Sequence, residues 1–384
     1  METSTIAYIA AALGVAALAH RLQLRLELSA AKHPSLAGHS RLARRMAALV
    51  PHYEYDESEF FGADDAPAAV AEQRRAGFMR LAAFYSERYA TTAKLTREVE
   101  DAISDLQFTD RYRVPFQFRS LAGKYLKSGS FVESSAGVQL TDLDGNRLYD
   151  LGGSYGVNLF GYDFYKECIE RGAARVQPLG PVLGAYHPVV VDNVARLRRI
   201  SGLDEVSFHM SGTEAVMQAV RLARYHTRRS HVVRFCGAYH GWWGDVQPGV
   251  GNPMPADSTY TLKDMDNMSL RVLARRKDIA CVLVNPLQAL HPNAGAPGDS
   301  TLVDREEYAA WLRRLRDVCT ERGIPLIFDE VFVGFRLAPG GAQEYFGVQA
   351  DMVTYGKTLG GGLPVGVLCG KAALMKRFQE NRPA

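Results

Sequence analysis

Metal-binding and disulfide-forming patterns are missing from this chain of 384 residues. Its five cysteines are scattered, and no two of them stand at CxxC spacing. An odd number of widely spaced thiols is typical of a reduced protein interior, and not of a secreted domain with a disulfide framework. The histidines also lack the HExxH arrangement of zinc enzymes, so the sequence predicts no metal site.

A strong excess of one charge is missing as well. The chain has 45 basic and 42 acidic residues and a formal net charge of +3, with no array of basic and aromatic residues suited to a nucleic-acid strand. We therefore expect no nucleic-acid partner. Hydrophobic residues make up 47% of the chain, which is ordinary for a globular protein, and the length suits one large domain or two.

One long run without charge occurs at the start of the chain, from Thr3 to Ala19. As a helix it would span about 25 Å, slightly less than the hydrocarbon core of a bilayer, about 30 Å. The charge order, with Glu2 before the run and six basic residues in the stretch after it, is that of an anchor whose following side is cytoplasmic. Those basic residues are Arg21, Arg25, Lys32, Arg41, Arg44 and Arg45. We predict a single-pass anchor over residues 1–28; a cleaved signal peptide and a buried helix are the alternatives.

The following segment, residues 29–114, has charged residues and apolar residues at three- and four-residue spacing, which predicts a helical extension. Its acidic and aromatic stretch at 51–65 is expected to be a loop. No motif with catalytic or binding chemistry occurs in this segment. Its expected role is a helical lid or packing layer.

The third segment, residues 115–384, alternates short apolar runs with helical patterns. Asp144-Gly145 indicates a hairpin, and apolar runs at 231–236, 280–286 and 325–332 are typical of buried strands. Between such runs lie helical patterns with one apolar face. This alternation predicts an α/β fold with a mostly parallel sheet and helices on both sides.

A lysine stands in a glycine-rich stretch, "YGKTLGGG", at Lys357. A Walker phosphate-binding loop would need glycine six residues earlier, where the chain has Asp351. The glycines at 360–366 also lack the spacing of a dinucleotide-binding turn. Taken alone, Lys357 is best interpreted as a solvated lysine in a glycine-rich turn, since most lysines are solvated, so a functional role depends on the remaining motifs.

Three further stretches suggest a ligand site. Ser211-Gly212-Thr213 precedes a strong helical pattern and offers an anion site, or else a simple helix cap. Asp329 ends an apolar strand, where α/β folds bind ligands, unless it is a structural salt-bridged acid. Tyr239 and His240 lie between glycines after another strand, either beside a ligand or in a packing loop.

A single cofactor accounts for all four features. Pyridoxal 5'-phosphate requires a lysine for its Schiff base, an acid that keeps its ring nitrogen protonated, an anion pocket and an aromatic residue beside its ring. The chain from about residue 115 onward resembles the class III pyridoxal-phosphate aminotransferases of fold type I, most closely the glutamate-1-semialdehyde aminomutase branch. The matching stretches are "DLDGNRLYDLGGSYG", "SGTEAVMQAVRLAR", "FCGAYHGWWGD", "LIFDEVFVGFR" and "GGAQEYFGVQADMVTYGKTLGGGLPVG".

The resemblance implies a role for each matching residue. Lys357 would be the Schiff-base lysine and proton shuttle, and Asp329 would pair with the pyridine nitrogen. The other residues implied or predicted to contact the cofactor are Ser211, Gly212, Thr213, Tyr239, His240, Gln288 and Val331. Tyr155 and Trp242 are predicted to border the substrate pocket. The resemblance also implies a homodimer.

Two features differ from the family pattern. Asn285 stands before Pro286 where much of the family has glutamate, so we expect a less acidic pocket. The chain ends at Ala384, 384 − 357 = 27 residues after the lysine. We therefore expect a truncated sequence that lacks the small C-terminal domain of the family.

The predicted function is the transfer of an amino group from an amino donor to an aldehyde or ketone by a ping-pong Schiff-base mechanism. The anchor favours a hydrophobic acceptor, since it would concentrate the enzyme where lipid-like substrates partition. The first alternative is a 2,1-aminomutase of the glutamate-1-semialdehyde type. The second, from another class, is a membrane-tethered scaffold without catalytic activity.

Overall fold

A computed structural model describes residues 3–32, 49, 57, 59–106, 119–182, 184–246, 258–287, 305–376, 378–379 and 382–383. The chain forms two compact units, and each is described by itself. The first, here called the sheet unit, contains residues 1–40 and 173–384, and the second contains residues 41–172. The predicted boundaries at 28 and 114 follow sequence character and stay a prediction.

The sheet unit begins with helix α1, Thr3–Ala31. Side chains from Tyr8 to Leu22 are exposed, whereas Glu27 and Ala31 are buried. By length and composition α1 is able to cross a membrane. That is weak evidence for an anchor, because signal sequences and buried helices of soluble proteins pass the same test.

Along the chain, the second unit has helices before and after a small antiparallel sheet. Asp144 and Gly145 lie in the turn between two of its strands, so the predicted hairpin is confirmed. The Asp144 carboxylate also accepts the backbone N–H groups of Thr91 and Thr92, each at 2.8 Å, at the start of a helix. Residues 57 and 59–65 of the predicted loop at 51–65 contain turns and no helix or strand, so this part of the prediction is confirmed, while residues 51–56 and 58 lie outside the described residues. The elements are α2 (Ala68–Arg88), α3 (Ala90–Val99), α4 (Arg119–Tyr125), β1 (Val132–Ala136), β2 (Gln139–Asp142), β3 (Arg147–Tyr149), α5 (Gly153–Gly156) and α6 (Tyr162–Val176), which continues into the sheet unit.

In the sheet unit, strands and helices alternate along the chain, as the apolar runs predict. The elements are α7 (Val189–Ser201), β4 (Glu205–His209), α8 (Gly212–Thr227), β5 (His231–Phe235), β6 (Thr259–Leu262), α9 (Asn267–Arg275), β7 (Ile279–Val284), α10 (Arg305–Glu321), β8 (Leu326–Asp329), α11 (Gly341–Phe346), β9 (Met352–Tyr355), β10 (Gly366–Gly370), α12 (Ala372–Met375) and the short strands β11 (Phe378–Gln379) and β12 (Arg382–Pro383).

Seven of these strands form one sheet in the order β4-β10-β9-β8-β7-β5-β6. Only β10 runs antiparallel to its neighbours, and the other described pairings of this sheet are parallel. The predicted α/β fold with a mostly parallel sheet is therefore confirmed.

The sheet is buried on both faces. In β7, Val282 and Val284 pack into a cluster that contains Trp311 of α10. Cys281 and Leu283, which point to the opposite face because successive side chains of a strand alternate, pack with residues of α8 such as Leu222. Continuous apolar runs are expected for strands that are covered by helices on both faces.

Candidate active site

A cavity of about 300 Å³ opens in the sheet unit at one edge of the large sheet. Its lining comes from residues just after β4, β5 and β7, from the end of β8 and from the turn after β9. Ligand sites of α/β folds lie at this edge because the carboxyl ends of the parallel strands meet there. The lining residues are Ser211, Gly212, Thr213, Val216, Tyr239, His240, Gly241, Asn285, Asp329, Val331, Phe332 and Lys357.

Lys357 follows β9 by two residues and projects its amine into the cavity. Its backbone has φ +43°, a left-handed conformation that costs about 1–3 kcal/mol in a residue other than glycine and is typical of functional sites. Burial lowers the pKa of the amine from its ordinary value, while the negative charge of Asp329 opposes that shift. The Lys357 amine therefore loses its proton more readily than a solvated lysine does.

Asp329 is buried at the end of β8, and three donors hold its carboxylate. His240 Nδ1 lies 2.8 Å from Oδ2, while the Val331 backbone N–H and the Thr354 hydroxyl donate to Oδ1 at 3.1 and 3.2 Å. Because Nδ1 faces a carboxylate, we place a ring proton on that nitrogen, which makes it the donor. The sequence suggested His240 as a cofactor contact but not this pairing, since the two residues are 89 positions apart.

The N-terminus of α8 forms the wall of the cavity that the sequence predicted as an anion site. Ser211 Oγ accepts the backbone N–H of Glu214 at 3.2 Å, and the Glu214 carboxylate accepts the N–H of Met210 at 2.8 Å. Ser211 is therefore a helix cap, as the alternative interpretation held. A hydroxyl accepts and donates at once, so capping leaves it able to bind an anion beside the helix N-terminus.

Two glycines allow this wall to approach its neighbours closely. A Cβ atom on Gly212 would lie 2.7 Å from Val331 Cγ1. A Cβ atom on Gly241, where φ is +98°, would lie 2.7 Å from Thr213 Oγ1. Both distances are shorter than any side chain tolerates, so these positions require glycine.

The remaining walls are aromatic and neutral. Tyr239 and Phe332 line the cavity with partly exposed rings, and the Lys357 amine lies 5.5 Å from the Phe332 ring centroid. Asn285 also lines the cavity, and its Nδ2 donates to the Tyr239 carbonyl at 3.5 Å. Phe332 was missed by the sequence reasoning, although it directly follows Val331 at the end of an apolar run.

The structure does not bring every predicted site residue to this cavity. Gln288 lies outside the described residues. Trp242 is exposed and is not part of the lining, while its neighbour Trp243 lines a separate cavity beside α8. Tyr155 belongs to the second unit and is exposed. The predicted roles of Gln288, Trp242 and Tyr155 therefore stay predictions.

The donor set of the cavity fits pyridoxal phosphate. An amine of lowered pKa, a held carboxylate, a helix N-terminus with two hydroxyl groups and an aromatic ring meet in one space, as that cofactor requires. Fold and site together define a pyridoxal-phosphate-dependent enzyme of fold type I.

Comparison with known proteins gives the family. The family model for aminotransferase class III matches residues 122–246 and 254–382. The chain belongs to the class III aminotransferases, which use pyridoxal phosphate.

Two relatives, from Alkaliphilus oremlandii and Citrifermentans bemidjiense, are named glutamate-1-semialdehyde 2,1-aminomutase. They are 37% and 36% identical over 272 and 282 residues, which cover 66% and 67% of this chain. The aligned region covers 61% and 60% of those proteins, so the chain spans about three fifths of their length. Among solved structures, an omega-transaminase from Sphaerobacter thermophilus is similar with a TM-score of 0.61 and 26% identity, covering 76% of this chain and 66% of that one.

Proposed function

We propose that the protein moves an amino group from an amino donor to a hydrophobic aldehyde or ketone. The observation that supports transfer chemistry is the meeting of the Lys357 amine, the Asp329 carboxylate and the N-terminus of α8 in one cavity. Pyridoxal phosphate, when bound, supplies the electron sink for this chemistry. The protein's contribution is to hold the cofactor and to move protons.

Each wall of the cavity has a separate task in this proposal. With the cofactor bound, the Asp329 carboxylate, oriented by His240, would keep the ring nitrogen protonated. The backbone N–H groups of α8 and the Thr213 hydroxyl would hold the phosphate, and Tyr239 and Val331 would contact the ring. The unprotonated amine of Lys357 would take a proton from the donor carbon and later give one to the acceptor carbon. Its lowered pKa suits this role because only the unprotonated amine accepts a proton.

A 2,1-aminomutase is the second candidate function, and the names of the relatives favour it. Both functions need the same residues, so acceptor choice has to separate them. The protein is loaded with the pyridoxamine form of the cofactor, and recovery of the aldehyde-form absorbance is followed with different carbonyl compounds. We expect alkyl aldehydes or ketones to restore it. Restoration by glutamate-1-semialdehyde in preference to all of them supports the aminomutase, and restoration by no compound supports the inactive scaffold.

If the acceptor is hydrophobic, kcat/KM should depend on the length of its alkyl chain. Phe332, Val331 and Val216 give the cavity apolar walls, and Asn285 adds no charge. Each buried methylene contributes up to about 0.8 kcal/mol, so kcat/KM for straight alkyl aldehydes should rise about fourfold per carbon before it levels off. Phe332→Ala removes an apolar ring from the cavity, so in this variant kcat/KM should rise less with each added carbon. A series that is flat in the wild type would contradict a hydrophobic acceptor.

Attachment to a membrane through α1, with the sheet unit in the cytoplasm, is the second part of the proposal. Its support is the apolar and exposed stretch from Tyr8 to Leu22. We expect deletion of residues 2–22 to move the protein from the membrane fraction to the soluble fraction with kcat unchanged for a soluble acceptor. The deletion stops at Leu22 because Glu27 and Ala31 are buried. Full-length protein that is already soluble after gentle lysis would contradict the attachment.

A further inference from the structure

The last two turns of α1 are built into the sheet unit. Ala31 is fully buried, and its carbonyl accepts the backbone N–H of Lys263 at 2.9 Å. The Lys263 amine donates to the Ala30 carbonyl at 3.1 Å. Glu27, also buried, forms an ion pair with Arg275, to which it is hydrogen-bonded. The segment Gln23–Ala31 is called the dock below.

The dock lies along α9 in a defined direction. Lys263 precedes α9 and contacts the end of α1, whereas Arg275 ends α9 and contacts α1 one turn earlier. The two helices therefore run in opposite directions, and α1 leaves the sheet unit beyond the C-terminal end of α9. Leu28 adds an apolar contact to the large core cluster. Polar and apolar contacts together fix the position of the dock.

The rest of α1 has different surroundings. Every described side chain from Tyr8 to Leu22 is exposed, and Ile9 and Leu18 lie on opposite sides of the helix. A helix that binds a protein groove is apolar along one stripe, whereas the run that ends at Ala19 carries no charge on any side, as expected for contact with lipid. From Thr3 to Ala19 this run is about 25 Å long, close to the hydrocarbon core of a bilayer, about 30 Å.

Basic side chains stand where the free part of α1 meets the sheet unit. Arg21 and Arg25 are exposed on α1 itself. Arg271 is exposed on α9, and Lys277 follows the end of that helix. Cations at this position are complementary to the anionic headgroups of a cytoplasmic leaflet. The charge pattern favours a lipid surface as the partner of the free part of α1. The α1 helix of a second copy is less suitable, because its own arginines would lie at the same place and repel these cations.

We propose that α1 is a rigid stalk, inserted in the bilayer from Thr3 to Ala19, with Arg21 at the headgroups, and fixed to α9 by the dock, so that the sheet unit lies directly on the headgroups in one orientation. This inference rests on the membrane attachment proposed above and adds the rigid coupling. The rigid coupling is inferred from the continuity of the helix, because α1 has no break between the lipid-facing segment and the dock. A flexible tether would leave the distance from sheet unit to bilayer undefined.

Two insertions of the same six Gly-Ser residues test the coupling in the full-length protein. One is placed between Leu22 and Gln23, ahead of the dock, and the matched control is placed directly after Lys32, beyond it. A fluorophore is attached to Glu321→Cys, an exposed position on α10, in a Cys168→Ser background that removes an exposed native thiol. Energy transfer to labelled headgroups is then measured in nanodiscs of phosphatidylcholine and phosphatidylserine, together with flotation of the protein on vesicles of the same lipids.

The insertion ahead of the dock should lower energy transfer, since a flexible chain of six residues adds an average of about 13 Å. The insertion after Lys32 should leave transfer unchanged, because the dock still holds α1 on α9. Equal transfer in wild type and both variants, or an equal decrease in both variants, would overturn the rigid stalk. If the wild type does not float, the membrane attachment itself fails, and the stalk with it, while the aminotransferase proposal is unaffected.

Discussion

Replacing Lys357 with alanine is expected to abolish turnover, with a fall in kcat of at least about 10³-fold. In the proposed mechanism this amine carries the proton, and no other lysine of the described part of the chain lines the cavity. Borohydride reduction of the wild type followed by peptide mapping should place the cofactor on Lys357. The variant should give no labelled peptide, although the phosphate wall at α8 should still let it bind the pyridoxamine form.

Lys371→Ala is the matched control for this substitution. The Lys371 amine forms an ion pair with Asp351 at 2.6 Å and does not line the cavity. The control should keep both turnover and the label, with at most some loss of stability. Labelling of another lysine in the wild type, or a labelled peptide in the alanine variant, would remove Lys357 from its role.

Asp329→Asn is expected to lower the rate of each half-reaction by about 10²–10⁴-fold while the cofactor is still bound. The amide is nearly the same size as the carboxylate, so packing is preserved. It carries no charge, however, and it no longer holds the ring nitrogen protonated. Rapid-mixing absorbance with donor alone and with acceptor alone measures the two half-reactions separately.

The control for a lost buried carboxylate is Asp351→Asn. Asp351 forms ion pairs with Arg316 and Lys371 at the start of β9 and lies outside the lining of the cavity. This variant should be less stable, because two cations lose their partner, yet its half-reaction rates should stay near those of the wild type. Near-normal rates in Asp329→Asn would contradict the proposed role of Asp329.

His240 is one of three groups that fix the position of the Asp329 carboxylate. The imidazole is buried, and its Nδ1 is 2.8 Å from the carboxylate. The Val331 N–H and the Thr354 hydroxyl hold the other oxygen, so the carboxylate is fixed from both sides. Preorganised groups of this kind need no rearrangement when charge develops during the reaction.

Local chemistry made much of the fold predictable from sequence. Continuous apolar runs predicted the buried strands, and Asp144-Gly145 predicted the hairpin because turn residues act through their own backbone conformation. Lys357 and Asp329 were predictable for a related reason. Asp329 is the last residue of β8 and Lys357 follows β9 by two residues, and the carboxyl ends of parallel strands meet at one edge of the sheet.

What the sequence alone determined, then, was the strands, the alternation with helices and the residues at the strand ends, since these depend on neighbours in the chain. Only the tertiary structure decided which distant residues meet. The pairing of His240 with Asp329, the closeness of Gly212 to Val331 and the exposure of Trp242 depend on how the loops fold over the sheet. The dock of α1 is also a contact between distant parts of the chain, because Ala31 and Lys263 meet only when α9 is packed in place. Contacts of this range leave no periodic pattern in a sequence, because each is a single pair of residues joined by a long and variable chain.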